Sequence, residues 1–272
     1  MKGIFGRVLE VDLSSRKVQV QEIEDEILFD YLGGLGLATR LLFDLTEPQI
    51  DPFSEKNVLV IAPGLLVGSG LPTASKTTLT FKSPLTNGFG RSVAGAYLGV
   101  ELRKAGYDAL VIKGKSEQPI YLFIDDDTVE IRDASHLWGK DALETQELLK
   151  GELGNVRTGA IGYSGEKLSK ISGVDFEERQ AARAGGGAVM GSKMLKAIAV
   201  RGTKNIPYAD VEALRATIKR WNQKIVGSPV AELDMKYGSG EFYEWVNKIM
   251  GVFPVKNWQQ SYFEDSFNAH PD

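Results

Sequence analysis

Residues 179–191 read R-Q-A-A-R-A-G-G-G-A-V-M-G, so two arginines four apart run into Gly185, Gly186, Gly187 and then Gly191. A guanidinium is a planar fork of N–H donors that matches the oxygens of a phosphate or carboxylate. Three successive glycines remove three Cβ atoms, and backbone N–H groups left bare on such a loop also suit an anion. The same residue types describe a tight turn before a helix with two solvated arginines, and the segment alone does not separate these readings. A second cation, Lys76, is flanked by Ser75, Thr77 and Thr78. It fits phosphate, but it lacks the G-x-x-x-x-G-K-[ST] spacing of a P-loop, so a nucleoside triphosphate is not supported.

Other candidates carry less. The G-G-L-G-L-A of residues 33–38 has the glycines of a dinucleotide turn. A helix rather than a strand is expected before it, which favours a close-packed helix–helix turn. Asp125, Asp126 and Asp127 invite a metal, but at the tip of an expected hairpin they read as a solvated turn. His136 lies beside Leu137 and Trp138 near a helix start and reads as packed rather than catalytic. The only other histidine is His270, and there is no cysteine. These counts argue against a His-rich zinc site and exclude a disulfide, a thiol nucleophile or a thiolate-held iron–sulfur cluster from this chain.

The elements that must position these residues follow from the pattern. Leu9, Val11 and Leu13 alternate with Glu10 and Asp12, then Val18 and Val20 alternate beyond a Ser14–Lys17 turn, which predicts a β-hairpin. A helix is expected over 24–32 and another after Ala38. Strands are expected over 58–63, 77–81 and 109–112, with a turn at 83–88 and a helix over 97–105. A second hairpin pairs 120–124 with 128–131. A helix over 141–152 follows, with Asp133 or Ser135 helping to cap it. Strands over 156–161 and 171–174 flank a turn at 162–165. The arginine–glycine loop, a helix near 191–195 and a strand over 197–201 close the unit. Beyond residue 208 the pattern turns helical, over 211–225 with Trp221 on the apolar side, and over 228–250 with a break at 238–240. The aromatic stretch from 251 to 267 shows no partner within the chain, and reads as an apolar patch seeking a partner, a homodimer being one arrangement it would serve.

An internal echo links the two parts. Gly95-Ala96-Tyr97-Leu98-Gly99 leads to Val111-Ile112-Lys113-Gly114, and Gly187-Ala188-Val189-Met190-Gly191 leads to Ala199-Val200-Arg201-Gly202. Each is G-A-x-x-G, a short helix, an apolar strand, then a basic residue and glycine. This is a supersecondary duplication, and a symmetric pair of such units would suit a ligand with two similar halves.

Bulk properties bound the class. With 43% hydrophobic and 25% charged residues among 272, the chain is a globular protein of one large domain, or of one domain and part of a second. A net charge of −4 argues against a protein built to grip nucleic acid. No apolar run is long enough to span a bilayer, and the N-terminus lacks a secretory core, so a cytoplasmic protein is expected.

Several motifs then fall in one order: G-R-V-L-E-V-D-L-S, Y-L-G-G-L-G-L-A, K-S-P-L-T, G-V-E-L-R-K-A-G-Y-D-A-L, E-I-R-D-A-S-H-L-W-G-K-D and G-A-V-M-G-S-K-M-L-K-A-I-A-V-R-G. In this combination residues 1–208 resemble the N-terminal domain of the tungsten-containing aldehyde:ferredoxin oxidoreductases, and 209–272, with F-P-V-K-N-W, resemble the start of that family's helical C-terminal region. The resemblance implies an α+β fold of two related, antiparallel-rich β-sheets with short helices, followed by the beginning of an all-helical domain. It implies a base for one tungsten and two pyranopterins, with phosphates bridged by Mg²⁺. The cofactor contacts it carries over are Lys76, Val93, Ala94, Gly95, Arg179, Gln180, Ala182, Arg183 and Gly185, with the backbone carbonyls of Val93 and Gln180 reaching Mg²⁺. Some relatives carry arginine at Lys76 and asparagine at Val93, and glycine is usual at Ala182, so relative to them a fork, an amide and some space are lost there. In the family, aldehydes are oxidised to carboxylic acids with ferredoxin as acceptor, and the 4Fe–4S cluster belongs to the C-terminal part. The expectation is that this chain alone is inactive and works with those domains or with a partner subunit. A non-catalytic pterin-cofactor carrier, or a subunit of a split enzyme, is the alternative.

Overall fold

Leu9, Val11 and Leu13 alternate along and just past β1 (Arg7–Asp12) and enter a fully buried core. The computed structural model describes residues 2–177 and 179–266. His270 and Phe267, singled out in the sequence, lie outside them. The chain divides into two units, Met1–Val211 and Glu212–Asp272.

The first unit contains one topology twice. In the first half, the hairpin β1–β2 (Lys17–Glu22) is followed by α1 (Asp25–Tyr31) and α2 (Leu35–Leu45). Strands β3 (Leu59–Pro63), β4 (Lys76–Lys82) and β5 (Phe89–Gly95), helix α3 (Tyr97–Lys104) and strand β6 (Ala109–Lys113) complete it. The second half repeats the strand order, with one helix after the hairpin instead of two and a short helix added after its third strand: β7 (Ile120–Asp125), β8 (Thr128–Asp133), α4 (Ala142–Leu153), β9 (Arg157–Ala160), α5 (Tyr163–Glu166), β10 (Val174–Phe176), β11 (Arg179–Ala181), α6 (Gly186–Ser192) and β12 (Leu195–Arg201). The sheet orders are β2-β1-β6-β3-β4-β5 and β8-β7-β12-β9-β10-β11. In each, the final strand inserts parallel to the first strand of the hairpin and antiparallel to the next, and all other pairs are antiparallel. The echo seen in the sequence is therefore a duplicated fold.

Burial explains why the halves stay together. One core collects inward-facing residues of both sheets, among them Leu9, Ile61, Phe81, Leu122, Phe176 and Ile198, with Leu98 and Leu102 of α3 and Val189 and Met190 of α6. Each such side chain contributes roughly 1.5–3 kcal/mol of burial. Helix α2 covers the outer face of the first sheet with Leu37, Ala38 and Leu42 against Val8, Val60 and Val111. Helix α4 covers the outer face of the second, where Leu149 packs in a cluster with Tyr121, Phe123 and Ala197. The outermost strands, β5 and β11, are left at corresponding places.

Several expectations are corrected. Residues 89–95 form β5, a strand that alternation alone did not reveal, because Gly90 and Ser92 occupy two of its three inward positions, where apolar residues would mark one. Arg179, Gln180 and Ala181 form a strand, not a loop, and the following helix is Gly186–Ser192 rather than 191–195. The turn expected at 162–165 is a single helical turn over 163–166, and the strand expected at 171–174 is Val174–Phe176. The cap of α4 is Asp141, whose carboxylate accepts the Glu144 N–H at 2.8 Å, while Asp133 serves Ser135.

In the second unit, α7 (Val211–Ile225) buries no residue, so Trp221 is half exposed rather than packed. Helix α8 (Pro229–Tyr237) is followed by a 3₁₀ turn (Gly238–Phe242) and a π-helical turn (Trp245–Met250). The aromatic stretch does find partners: the Phe253 ring meets Tyr243 edge-on at 4.8 Å, and Asn247 exchanges two hydrogen bonds with the Phe263 backbone.

Candidate functional site

The exposed cations singled out in the sequence lie on or beside the outer strands of the two sheets. Lys76 opens β4 and is exposed. Its register partner is Gly95, the last residue of β5, and Val93 and Ala94 pair with Thr78 and Thr77. Ala94 is buried and Val93 half-buried. A Cβ on Gly95 would stand 3.2 Å from Ser75 Oγ and 3.9 Å from Lys76 Nζ, so the bare backbone here keeps open the space beside the ammonium.

From the other half, Arg179 and Gln180 pair with Phe176 and Asp175 in β11, and both are exposed. The segment after β11 crosses to the first half: the Arg183 N–H donates to Ser92 Oγ at 2.9 Å, and Ser83 Oγ donates to the Ala184 carbonyl at 2.8 Å. Ser92 lies three residues before Gly95, roughly 10 Å along an extended strand. The structure thus brings Arg183 alongside β5. Ala182 is exposed, and its methyl is accommodated because Gly173 opposite has no side chain; a Cβ there would stand 3.2 Å from the Ala182 Cβ. Among the described residues no carboxylate pairs with Lys76, Arg179 or Arg183.

The triple glycine has a different role from the bare anion loop its composition suggested. Gly185, at φ +84°, turns the chain into α6, and a Cβ there would strike the Lys170 carbonyl at 2.4 Å. Gly186 and Gly187 are buried, and the Gly187 N–H is already donated to Ser172 at 3.0 Å. The groups of this segment that face solvent are Arg179, Gln180, Ala182 and Arg183.

The other sequence candidates do not join this cluster. The aspartates at the β7–β8 tip are not a free turn: Asp125 pairs with Arg201, Asp126 accepts from Thr203 at 2.8 Å, and Asp127 binds both Arg7 and Lys204. Those hydrogen bonds hold the Asp125 and Asp127 carboxyls below their usual range. No cluster of metal-ligating side chains occurs among the described residues. His136 is exposed, not packed, and its Nε2 lies 2.7 Å from Glu152.

Three buried cations were not anticipated. Lys193, fully buried, donates to the carbonyls of Gly114 at 2.8 Å and Glu55 at 3.3 Å, and burial pushes its ammonium down to about 8. Lys196, equally buried, pairs with Glu166 at 2.5 Å; burial lowers its pKa and the carboxylate opposes that. Arg103 and Asp108 are buried near one another, with burial lowering the pKa of the first and raising that of the second. The available signal was charge inside apolar runs, R-K-A-G-Y-D and G-S-K-M-L-K-A-I.

Among the described residues no helix is long and apolar enough to cross a membrane. Residues 8–202 match the family model described as aldehyde ferredoxin oxidoreductase, N-terminal domain. The tungsten-containing aldehyde ferredoxin oxidoreductase of Pyrococcus furiosus is 42% identical over 95% of this chain and 43% of its own length. That of Thermococcus kodakarensis is 42% identical over 98% of the chain and 45% of its own length. A solved chain of the active site complex BamBC of benzoyl coenzyme A reductase, in complex with 1,5-dienoyl-CoA, superposes with a TM-score of 0.84 at 33% identity, covering 98% of this chain and 43% of that one. The chain therefore spans less than half the length of these relatives.

Proposed function

The chain belongs to the aldehyde ferredoxin oxidoreductase family, and on that footing we propose that its first unit is the base that holds a tungsten bis-pyranopterin with its Mg²⁺. The observation that carries this reading is the meeting of β5 with the Ala182–Gly185 segment, edged by three cations that have no carboxylate partner among the described residues. The space kept beside Lys76 Nζ by Gly95 supports the fit, since a phosphate oxygen needs to approach an ammonium that is not walled in. When bound, such a cofactor supplies a two-electron redox centre.

The chain's own residues then have separable tasks. Lys76 is a point charge for one phosphate, whereas Arg179 and Arg183 offer planar forks. Gly185 fixes the turn that presents Arg183, and buried Ala94 anchors the edge between Val93 and Gly95. Backbone carbonyls of outer strands alternate toward the open side, which suits Val93 and Gln180 as Mg²⁺ oxygens. Ala182, held against Gly173, keeps the approach shallow. The whole enzyme would oxidise an aldehyde to a carboxylic acid and pass two electrons to ferredoxin through a 4Fe–4S cluster. No thiolate for that cluster comes from these residues, so further domains or a partner subunit must supply it.

Metal analysis and pterin fluorescence of the chain, purified from a host that makes the cofactor, test this directly. Tungsten and pterin should copurify. Lys76→Ala, or Arg179→Ala with Arg183→Ala, should weaken retention by on the order of a hundredfold, since each charge-assisted hydrogen bond contributes about 1.5–3 kcal/mol. Melting should be unchanged, because exposed cations seldom build a core. Wild-type chain carrying neither metal nor pterin refutes the reading, and equal loss of folding and binding returns the arginines to a structural turn.

A further inference from the structure

Arg103 is 1% exposed, yet its neighbouring carboxylate does not account for it. Asp108 Oδ1 stands 3.9 Å from Arg103 Nη2, beyond hydrogen-bond reach. The other oxygen, Oδ2, accepts the N–H groups of Phe5, Gly6 and Arg7 at 2.9, 2.7 and 3.3 Å. Arg103 instead spends its fork on main-chain carbonyls. Nη1 donates to Leu65 at 2.5 Å and, more weakly, to Gly64 at 3.4 Å, while Nη2 donates to Gly3.

The Gly64 residue is the junction. Its carbonyl faces Arg103, and its N–H donates to the Lys76 carbonyl at 3.0 Å. A Cβ on Gly64 would stand 3.3 Å from that same Lys76 oxygen, so the two backbones are in close contact. From there the chain runs to Ser75, whose carbonyl accepts the Ala96 N–H at 3.2 Å just past Gly95. A buried guanidinium is costly compared with an apolar residue of similar volume, so its presence calls for a role that a methionine would not serve. A rigid fork that reaches two separate segments is such a role.

We infer that Arg103 is a positioning residue: through the Gly64 peptide it sets the main chain from which Lys76 meets the cofactor phosphate. The inference rests on the reading of Lys76 given above.

Arg103→Lys keeps a cation beside Asp108 but cannot span the Gly3 and Leu65 carbonyls, so the domain should still fold. Amide hydrogen exchange across residues 64–76 should speed up by about tenfold or more, with β9 and β12 unchanged. Tungsten and pterin retention should fall to the level of Lys76→Ala. The double variant should retain within about twofold of Lys76→Ala alone, because both changes act through one group. Unaltered exchange over 64–76 overturns the relay whatever the cofactor does. Wild-type retention in Arg103→Lys, or a further additive loss in the double variant, overturns the positioning role. A wild-type chain without pterin sinks the cofactor reading and this consequence with it, while the exchange result still reports whether Arg103 holds the Lys76 segment.

Discussion

Lys193 offers a stability test whose sign and size follow from burial. Its ammonium is fully buried and its pKa falls from 10.5 to about 8. In the unfolded chain it would keep the ordinary value. Below pH 8 both states carry the proton, and the folded state bears the cost of burying the charge. Between about 8 and 10.5 the folded protein releases the proton first, so the unfolded state binds more protons and stability rises with pH. From pH 7 to 9.5 this amounts to about 1.4 pH units of differential binding, or about 2 kcal/mol at 1.36 kcal/mol per unit. Lys193→Met removes the charge but leaves the Glu55 and Gly114 carbonyls without a donor, a loss of about 1–3 kcal/mol. Its stability at pH 7 is therefore a poor readout, since the two effects oppose. The difference between wild type and variant along the pH axis isolates the titration, even though Lys196 shifts in the same direction. In urea titrations from pH 7 to 9.5, the wild-type midpoint should rise relative to the variant by close to 1 M, for a slope of about 2–3 kcal/mol per M. Parallel profiles would refute the reasoning, and would mean that two good carbonyl acceptors hold the buried cation at its ordinary pKa.

Three further substitutions probe the packing of the second half. Gly187→Ala places a methyl 2.3 Å from the Gly173 carbonyl, so backbone must move and the melting transition should drop by an amount worth about 2–3 kcal/mol. Gly151→Ala, in α4 with nothing within 4 Å, should instead raise stability by about 0.5–1 kcal/mol; a similar loss in both would show that close approach is not what the glycine serves. Glu166→Gln leaves the buried Lys196 cation with only neutral acceptors, at a cost of about 3 kcal/mol and so roughly 6–12 °C in Tm. A loss under 1 kcal/mol would mean that the Lys140 carbonyl alone holds it.

How far the sequence spoke depended on what each residue's signal was made of. The hairpins β1–β2 and β7–β8 were legible because β2 and β8 alternate apolar with polar residues, β7 is a short continuous apolar run, and polar turn residues separate each pair. The duplication was legible because its glycines are required by close approach: a Cβ on Gly99 would stand 2.0 Å from Thr77 Oγ1, and one on Gly191 2.0 Å from the Gly165 carbonyl. Strand β5 was hidden, since an outer strand beside another half of the molecule needs small and hydroxyl residues rather than an apolar stripe. Ser92 illustrates this, because its value is the hydrogen bond to Arg183, a residue 91 positions away. The buried cations were hidden for a related reason. The one local mark of Arg103, Lys193 and Lys196, a charge set among apolar residues, does not by itself distinguish a solvated charge from one aimed at distant carbonyls. Lys76, Arg179 and Arg183 stood out through their neighbours, and the resemblance to a family, rather than any spacing, linked them to a pterin phosphate.

The duplicated unit would by itself give two equivalent edges, and the candidate site depends on a place where the copies differ. In the first half a single residue, Ala96, separates strand β5 from helix α3. In the second, residues 182–185 separate β11 from α6. Those added residues are the ones that cross over: Arg183 reaches Ser92, Ala184 accepts from Ser83, and Gly185 turns back into the helix with φ +84°. A strictly symmetric pair would leave two open strand edges, which invite pairing with another chain. The insertion spans one edge to the other with side-chain hydrogen bonds and sets a guanidinium there. It follows that the arginine pair and the triple glycine do different work. The glycines let α6 sink into the fold, and that seating presents Arg183 at the boundary between the halves.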